Sequence, residues 1–223
     1  MKKFLSIALI TLASTNLSFA QMDALKGSGK IVTQTFTNTN FDKLSLLDLD
    51  GEIIVEVGKT FGITAAIDDN LAQLLEVSQT AGTLTIKLQK NKNNVRYIED
   101  SKIKITISLP ALKMVNQSGN HNLAITNLNG DVFSIKSAGN GDATLSGTVH
   151  TVKIEKSGNG DVRAEKLIAA KAVVASMGNG DVVINATGEF RANGTGNGNI
   201  KNVGKATASA ESTMLGNGKI ISQ

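Results

Sequence analysis

The sequence predicts an all-β protein: a single-stranded parallel β-helix, a solenoid of about 20 residues per turn, with an irregular N-terminal β cap. Three observations predict it. A glycine-rich tripeptide recurs at a nearly constant interval in the second half, and apolar residues alternate after each copy. The 223 residues are 41% hydrophobic but only 4% aromatic, which suits a narrow interior filled by aliphatic side chains.

The repeated tripeptide is Gly-Asn-Gly. Complete copies begin at Gly139, Gly158, Gly178, Gly196 and Gly216, and a degenerate copy, Gly119-Asn120-His121, precedes them. Counted between first glycines, the intervals are 20, 19, 20, 18 and 20 residues. Glycine and asparagine tolerate the positive φ angles of tight corners, so each copy predicts a corner between two strands.

Stacked corners would bring the central asparagines into one column, with neighbours about 4.8 Å apart. A side-chain amide can both donate and accept, so such a column predicts a hydrogen-bonded corner ladder. Its members are Asn120, Asn140, Asn159, Asn179, Asn197 and Asn217. Six circuits at this spacing would rise roughly 29 Å.

A strand is expected after each corner, because residues at a spacing of two share one face of a strand. The first such position holds Leu123, Ala143, Val162, Val182, Ile200 and Ile220, and the second holds Ile125, Leu145, Ala164, Ile184, Asn202 and Ser222. Separate second strands are predicted at Val132 to Ile135, Val149 to Ile154 and Ala172 to Ala175. A leucine-rich solenoid would require more leucines per repeat.

Residues 21–117 differ from the repeats of residues 118–223, and we expect them to cap and start the solenoid, since an open solenoid end exposes strand edges. A helical turn is predicted at Leu71 to Leu75, a hairpin loop at Thr80 to Gly82 and a polar tip at Lys90 to Asn94. Strands are predicted at Glu52 to Val57, Ile63 to Ile67, Leu84 to Leu88 and Ile103 to Leu109.

Residues 1–20 are predicted to be a signal peptide. Lys2 and Lys3 precede a short apolar run, and small residues stand before Gln21. We therefore expect an exported protein that is periplasmic, outer-membrane-associated or extracellular, with no membrane span after cleavage.

Composition excludes several classes of function. The sequence contains no cysteine, so it has no disulfide, thiolate nucleophile or cysteine zinc site. After residue 20 the 21 basic residues exceed the 19 acidic ones by two, and no cationic run occurs, so we expect no nucleic-acid partner. His121 and His150 lack ligand partners at suitable spacing, and we expect neither a metal nor a cofactor.

Asp142, Asp161 and Asp181 follow three successive corners and form a candidate surface column. Close carboxylates raise one another's pKa. Stacked carboxylates on a parallel coil are also where sugar-cleaving enzymes of similar shape have their catalytic acids and where calcium could bind. The other turns have Asn122, Asn199 and Lys219 at this position, however. An aspartate in a turn commonly binds its own backbone, and this structural interpretation is the one we favour.

The order of these features resembles the bacterial head GIN domain family, whose members are described as auto-transporter adhesins. The resemblance rests on Asp50-Gly51 within Phe41 to Val57, on Gly82 to Ile86, on the Ile103 to Leu112 strand and on Ser-Gly-Asn-Gly-Asp units such as Ser157 to Asp161. It covers nearly all of the chain after residue 20. The resemblance implies a parallel β-helix in the cell envelope and no catalytic residues. Because Gln223 follows soon after the last repeat, we expect a separate component to carry the protein to the surface.

Two classes of function remain. A noncatalytic, adhesin-like module would bind an envelope polysaccharide or a surface protein, whereas a glycan lyase or hydrolase would use the aspartate column with Arg163. Sugar clefts usually contain exposed rings, and the only tyrosine, Tyr97, lies outside the repeats, so the binding module is favoured. A third hypothesis is self-association through the C-terminal edge at Ile220 and Ile221.

Overall fold

The computed structural model describes residues 25–90, 98–99 and 101–222. The strands form a parallel β-solenoid of about 5 turns, which confirms the predicted fold class. Within these ranges the only helical element is a single 3-10 turn, Ala72–Leu74, inside the predicted helical segment. No helix among the described residues has both the length and the apolar character needed to cross a membrane.

The N-terminal region contains nine strands: β1 Leu25–Lys26, β2 Ile31–Phe36, β3 Lys43–Leu49, β4 Glu52–Val57, β5 Gly62–Asp68, β6 Leu75–Thr80, β7 Thr83–Leu88, β8 Ile98–Glu99 and β9 Lys104–Leu109. The repeat region contains eight: β10 Met114–Gly119, β11 Asn122–Gly139, β12 Ala143–Gly158, β13 Val162–Gly178, β14 Val182–Gly196, β15 Ile200–Asn202, β16 Thr213–Leu215 and β17 Ile220–Ile221.

The long strands β11 to β14 stack in parallel, and the glycines that end them pair in register from turn to turn. Successive corners bound one turn between them, so the six corners enclose about 5 turns. The expectation of six circuits was therefore one too many.

Each turn has three short faces, as the burial along β13 demonstrates. Inward residues alternate from Val162 to Ala164, then from Leu167 to Ala169, then from Ala172 to Ser176, with a phase slip between these segments. The backbone bends at each slip without interrupting the strand. The separate second strands that we predicted from the sequence are therefore segments of one long strand per turn.

The interior is filled mainly by aliphatic side chains, as the low aromatic content predicts, with one buried polar column of Gln117, Ser137, Lys156 and Ser176. Phe133 and Phe190 are the rings buried within the repeats, at 1% and 2% exposure. Asn202 occupies an inward position that is apolar in the four preceding turns, and it is fully buried. Its side-chain amide forms hydrogen bonds with backbone groups of residues 186, 204 and 206, where the regular strand pattern ends.

The N-terminal region starts the coil in an order that differs from the sequence. Strands β3 and β4 form a turn directly beneath β10 and β11, while β7 and β9, which come later in the chain, pair beneath β3 and β4. Strands β2, β5 and β6 add antiparallel pairings at this end. Here buried Asp68 accepts the backbone N–H groups of Gly29 and Lys102.

The four strands predicted in this region correspond to β4, β5, β7 and β9. The hairpin loop is also present, with Ala81 and Gly82 at φ values of 49° and 74° between β6 and β7. Strands β2, β3, β6 and β10 had no sequence prediction. The signal peptide and residues 91–94 of the polar tip lie outside the described residues.

The corner glycines generate the first prediction. Gly158 has φ +107°, and an added Cβ would lie 2.3 Å from the carbonyl oxygen of Gly139 in the turn below. Gly130 has φ +127° but open space around it. Gly130→Ala should lower the free energy of unfolding by about 2 kcal/mol from backbone strain alone. Gly158→Ala should cost a further ~1–3 kcal/mol because the turns must separate.

Urea denaturation of the two variants measures this difference. Equal losses of stability would mean that close stacking of the corners does not determine the requirement for glycine.

Candidate functional site

The asparagines of the corners form a hydrogen-bonded ladder on the surface of the solenoid. Each Nδ2 donates to the Oδ1 of the asparagine one turn below. From Asn140 on Asn120 to Asn217 on Asn197, the five distances are 3.0, 3.0, 2.8, 2.7 and 2.9 Å. Asparagines in the middle of the ladder therefore use both amide atoms. At the ends, Nδ2 of Asn120 and Oδ1 of Asn217 have no partner among the described residues.

A second polar column contains the candidate aspartates. At this position the side-chain Oδ1 of one turn accepts the backbone N–H of the same position one turn later. Asp142 accepts from Asp161, Asp161 from Asp181, and Asp181 from Asn199, at 2.9, 2.9 and 2.7 Å. The contacts made by Asn122 and Asn199 are equivalent, at 3.1 Å each. The position needs only an acceptor oxygen, and both aspartate and asparagine supply one.

Arg163 pairs with two of the three aspartates in this column. Its guanidinium contacts Oδ2 of Asp142 at 2.6 Å and Oδ2 of Asp161 at 2.8 Å. Burial opposes ionisation of Asp142, but the N–H of Asp161 and the Arg163 guanidinium outweigh it and hold the pKa of Asp142 below its usual value. The hydrogen bond to Asp142 raises the pKa of Arg163 in turn. These partners offset the mutual repulsion expected for stacked carboxylates.

The column brings the three aspartates into line but not around a common point. Within the described parts of the chain, no three histidine, aspartate or glutamate side chains converge on a position that could hold a metal ion. His150 is exposed and His121 is buried at the degenerate corner, where later turns have glycine. Both ring nitrogens of His121 lack a hydrogen-bond partner.

The sequence reasoning missed several buried polar residues, of which Lys156 and Asn202 are the most informative. Lys156 is 4% exposed and donates to the carbonyl oxygen of Gly158 at 3.1 Å. Burial lowers its pKa, although Asp161 and Asp181 oppose this. Its inward position could have been found by continuing the alternation of Val152 and Ile154 by two residues. Asn202 could have been found the same way, as the polar member of an apolar column.

The outward side of the face formed by the last segment of each turn is concave. One hollow of about 540 Å³ lies beside the asparagine ladder, and an adjoining one of about 710 Å³ lies further from it, with Asn193 shared by both. We call the surface that contains both hollows the concave face. Small residues such as Ala138, Ser157 and Ala175 line the first hollow, and Met177 and Leu215 project from it, 61% and 68% exposed.

The family model described as "Putative auto-transporter adhesin, head GIN domain" matches residues 40–206. The chain therefore belongs to the head GIN domain family, as its resemblance indicated. This membership indicates an adhesin-like protein that is exported or lies at the cell surface. None of the curated proteins matches the sequence.

Several solved structures have this fold. A protein from Bacteroides fragilis described as a "putative adhesin" has a TM-score of 0.64 and 24% identity, covering 90% of this chain and 100% of its own. A "putative lipid binding protein" from Parabacteroides distasonis has a TM-score of 0.51 and 20% identity over 90% and 100%. A "putative adhesin" from Parabacteroides merdae has a TM-score of 0.50 and 20% identity over 90% and 99%. At these identities the likeness establishes the fold.

The acceptor role of the aspartate column generates a second prediction. Asp161→Asn keeps the Oδ1 acceptor and loses only an exposed ion pair, so the free energy of unfolding should change by less than about 1 kcal/mol. Asp161→Ala removes the acceptor for the Asp181 N–H and should cost about 1–2 kcal/mol. Denaturation of both variants at neutral pH tests this. A larger loss for Asn than for Ala would contradict the acceptor role.

His121 generates a third prediction. Burial lowers its pKa from 6.5 to about 4, against the opposing effects of the neighbouring Leu49 backbone and of the Asp50 charge. The unfolded chain then binds a proton below pH 6.5 that the folded chain takes up only near pH 4, so stability falls as the pH drops through this interval. The loss attributable to this residue should approach about 3 kcal/mol.

Comparing unfolding of the natural protein and His121→Val from pH 7 to pH 4 isolates this contribution, with His150→Gln as the exposed control. The natural protein should lose more stability than His121→Val. Parallel curves for these two proteins would show that His121 does not carry the effect.

Proposed function

We propose that this protein is an exported, noncatalytic module of the cell envelope that binds an envelope polysaccharide or a surface protein through its concave face. Family membership supports an adhesin-like role, and the apolar run after Lys2 and Lys3 supports export. The proposal places the mature protein in the periplasm, on the outer membrane or outside the cell.

The observation that carries the noncatalytic assignment is the engagement of the aspartate column. Every Oδ1 in Asp142, Asp161 and Asp181 accepts a backbone N–H, and Arg163 holds two of the Oδ2 atoms. A general acid needs a raised pKa, whereas the pKa of Asp142 is lowered. These contacts favour binding over glycan cleavage.

The concave face has the features of a binding surface. Its backbone is fixed by continuous strand pairing, so binding would require little ordering of the protein. Its charges are largely paired: Lys136 contacts Glu155 at 2.8 Å, and Arg191 contacts Glu211 at 2.6 Å. A face with paired charges and exposed Met177 and Leu215 suits a weakly charged partner with apolar parts.

Self-association through the C-terminal edge is a weaker candidate. The outermost strands there, β16 and β17, contain 3 and 2 residues, and Lys219 stands between them. Short strands and lysine are features that discourage edge-to-edge pairing. Light scattering over a range of concentrations will report a constant mass if the partner is another molecule, and a rising mass if copies associate.

The binding role predicts a selective effect of charge on the concave face. Met177→Glu should weaken binding to envelope glycans on an array, or to isolated envelope proteins, by about tenfold or more, because a central apolar contact is replaced by a charge. Ile168→Glu is the matched control, since Ile168 is 48% exposed but does not line either hollow. Equal effects of the two substitutions would refute the assignment to the concave face.

The enzyme alternative has its own test. The triple variant Asp142→Asn, Asp161→Asn and Asp181→Asn retains the acceptor oxygens, so it should fold and bind like the natural protein. Turnover of envelope glycans by the natural protein that is lost in this variant would establish catalysis and overturn the proposal.

A further inference from the structure

We propose that Asn217 is a site of spontaneous deamidation, and that the asparagine ladder protects the corners beneath it from the same reaction. In an Asn-Gly pair the glycine nitrogen can reach the side-chain carbonyl carbon because no Cβ obstructs it. The ladder contains such pairs at residues 140, 159, 179, 197 and 217, followed by glycine each time. The site is independent of the proposed binding function.

The reaction needs only the chain and water. The backbone nitrogen of Gly218 forms a bond to Cγ of Asn217, the Cγ–Nδ2 bond breaks, and ammonia leaves with the proton lost from the backbone nitrogen. Water then opens the five-membered imide at either carbonyl, giving aspartate or its isomer linked through the side chain. No oxidant or reductant is involved.

The structure distinguishes Asn217 from the other corners by what holds its amide. For Cγ to approach the glycine nitrogen, the side chain must leave the ladder. Asn159 must break two hydrogen bonds, one donated to Asn140 and one accepted from Asn179. Asn217 must break only the one that it donates to Asn197, because no described residue binds its Oδ1. The attacking N–H is bonded to a carbonyl oxygen of the turn below at both corners, Gly218 to Gly196 at 3.0 Å and Gly160 to Gly139 at 3.3 Å, so its release is required at both. One fewer hydrogen bond corresponds to a rate about fivefold higher.

Asn129-Gly130 supplies an internal reference outside the ladder. The amide of Asn129 makes a single hydrogen bond, to the carbonyl oxygen of Asn127 at 3.3 Å, and the residue is exposed. If the number of amide hydrogen bonds determines the rate, Asn129 should react about as fast as Asn217.

The reaction at Asn217 would remove the hydrogen bond that protects the next corner, at Asn197. Aspartate cannot donate as the amide does, so Oδ1 of Asn197 would lose its partner and face a negative charge. Asn197 would then hold its amide by one hydrogen bond, to Asn179. Deamidation should therefore proceed along the ladder one corner at a time, starting from this end.

The test is incubation of the folded mature protein at mildly alkaline pH, followed by peptide mapping by mass spectrometry to measure deamidation at each corner over time. Asn217 and Asn129 should react at least about fivefold faster than Asn159 and Asn197, two corners where the following glycine N–H is bonded as that of Gly218 is. In urea the corners should react at similar rates. Equal rates in the folded protein, or a rate at Asn217 as low as at Asn159, would overturn the proposal.

Asn217→Ala moves the end of the ladder and sharpens the test. In this variant Asn197 should become the fast corner, with a rate about fivefold above its rate in the natural protein. Asn129→Ala is the matched control, because it removes an exposed Asn-Gly pair and leaves the ladder intact. An unchanged rate at Asn197 in the folded Asn217→Ala protein would show that the ladder gives no protection.

Discussion

The close approach of successive backbones at the corners is the constraint on which the remaining structure depends. A Cβ at Gly139, Gly158 or Gly178 would lie 2.2 to 2.3 Å from the carbonyl oxygen in the turn below. Because glycine allows this contact, the corners stack in register, and the side chains beside them stack too. The asparagine ladder, the acceptor column and the aliphatic interior all follow from that register.

Both polar columns join successive turns by hydrogen bonds, but they use different atoms. The ladder joins side chain to side chain, whereas the second column joins a side-chain oxygen to the backbone N–H of the next turn. Asparagine is required where the side chain must donate and accept, and either asparagine or aspartate suffices where it must only accept. This explains why the second column contains both asparagine and aspartate, with Asn122 and Asn199 on either side of the three aspartates. Arg163 pairs with two of these aspartates, Asp142 and Asp161.

Much of the repeat region could be predicted from the sequence because its signals are local. Glycine spacing gave the corners, and alternation gave the strand after each one. The bends within β11 to β14 were missed because a phase slip of one residue, as between Ala169 and Ala172, resembles the end of a strand. The sequence analysis favoured a backbone hydrogen bond for Asp142, but placed it within its own turn. The actual partner, the N–H of Asp161, was missed because it depends on the orientation of the side chain toward another turn. Strands β3 and β10 were missed since their pairing joins distant parts of the chain.

The position of β3 and β4 between strands that come later in the chain has a consequence for how the coil assembles. Their lower edges pair with β7 and β9 and their upper edges with β10 and β11. The base of the coil is thus complete only when residues up to 109 are present, and forming it requires closure of long loops. Each later turn adds to a finished template and pairs with its immediate predecessor. A chain that is synthesised from its N-terminus would therefore form the base of the coil slowly and then add the later turns rapidly.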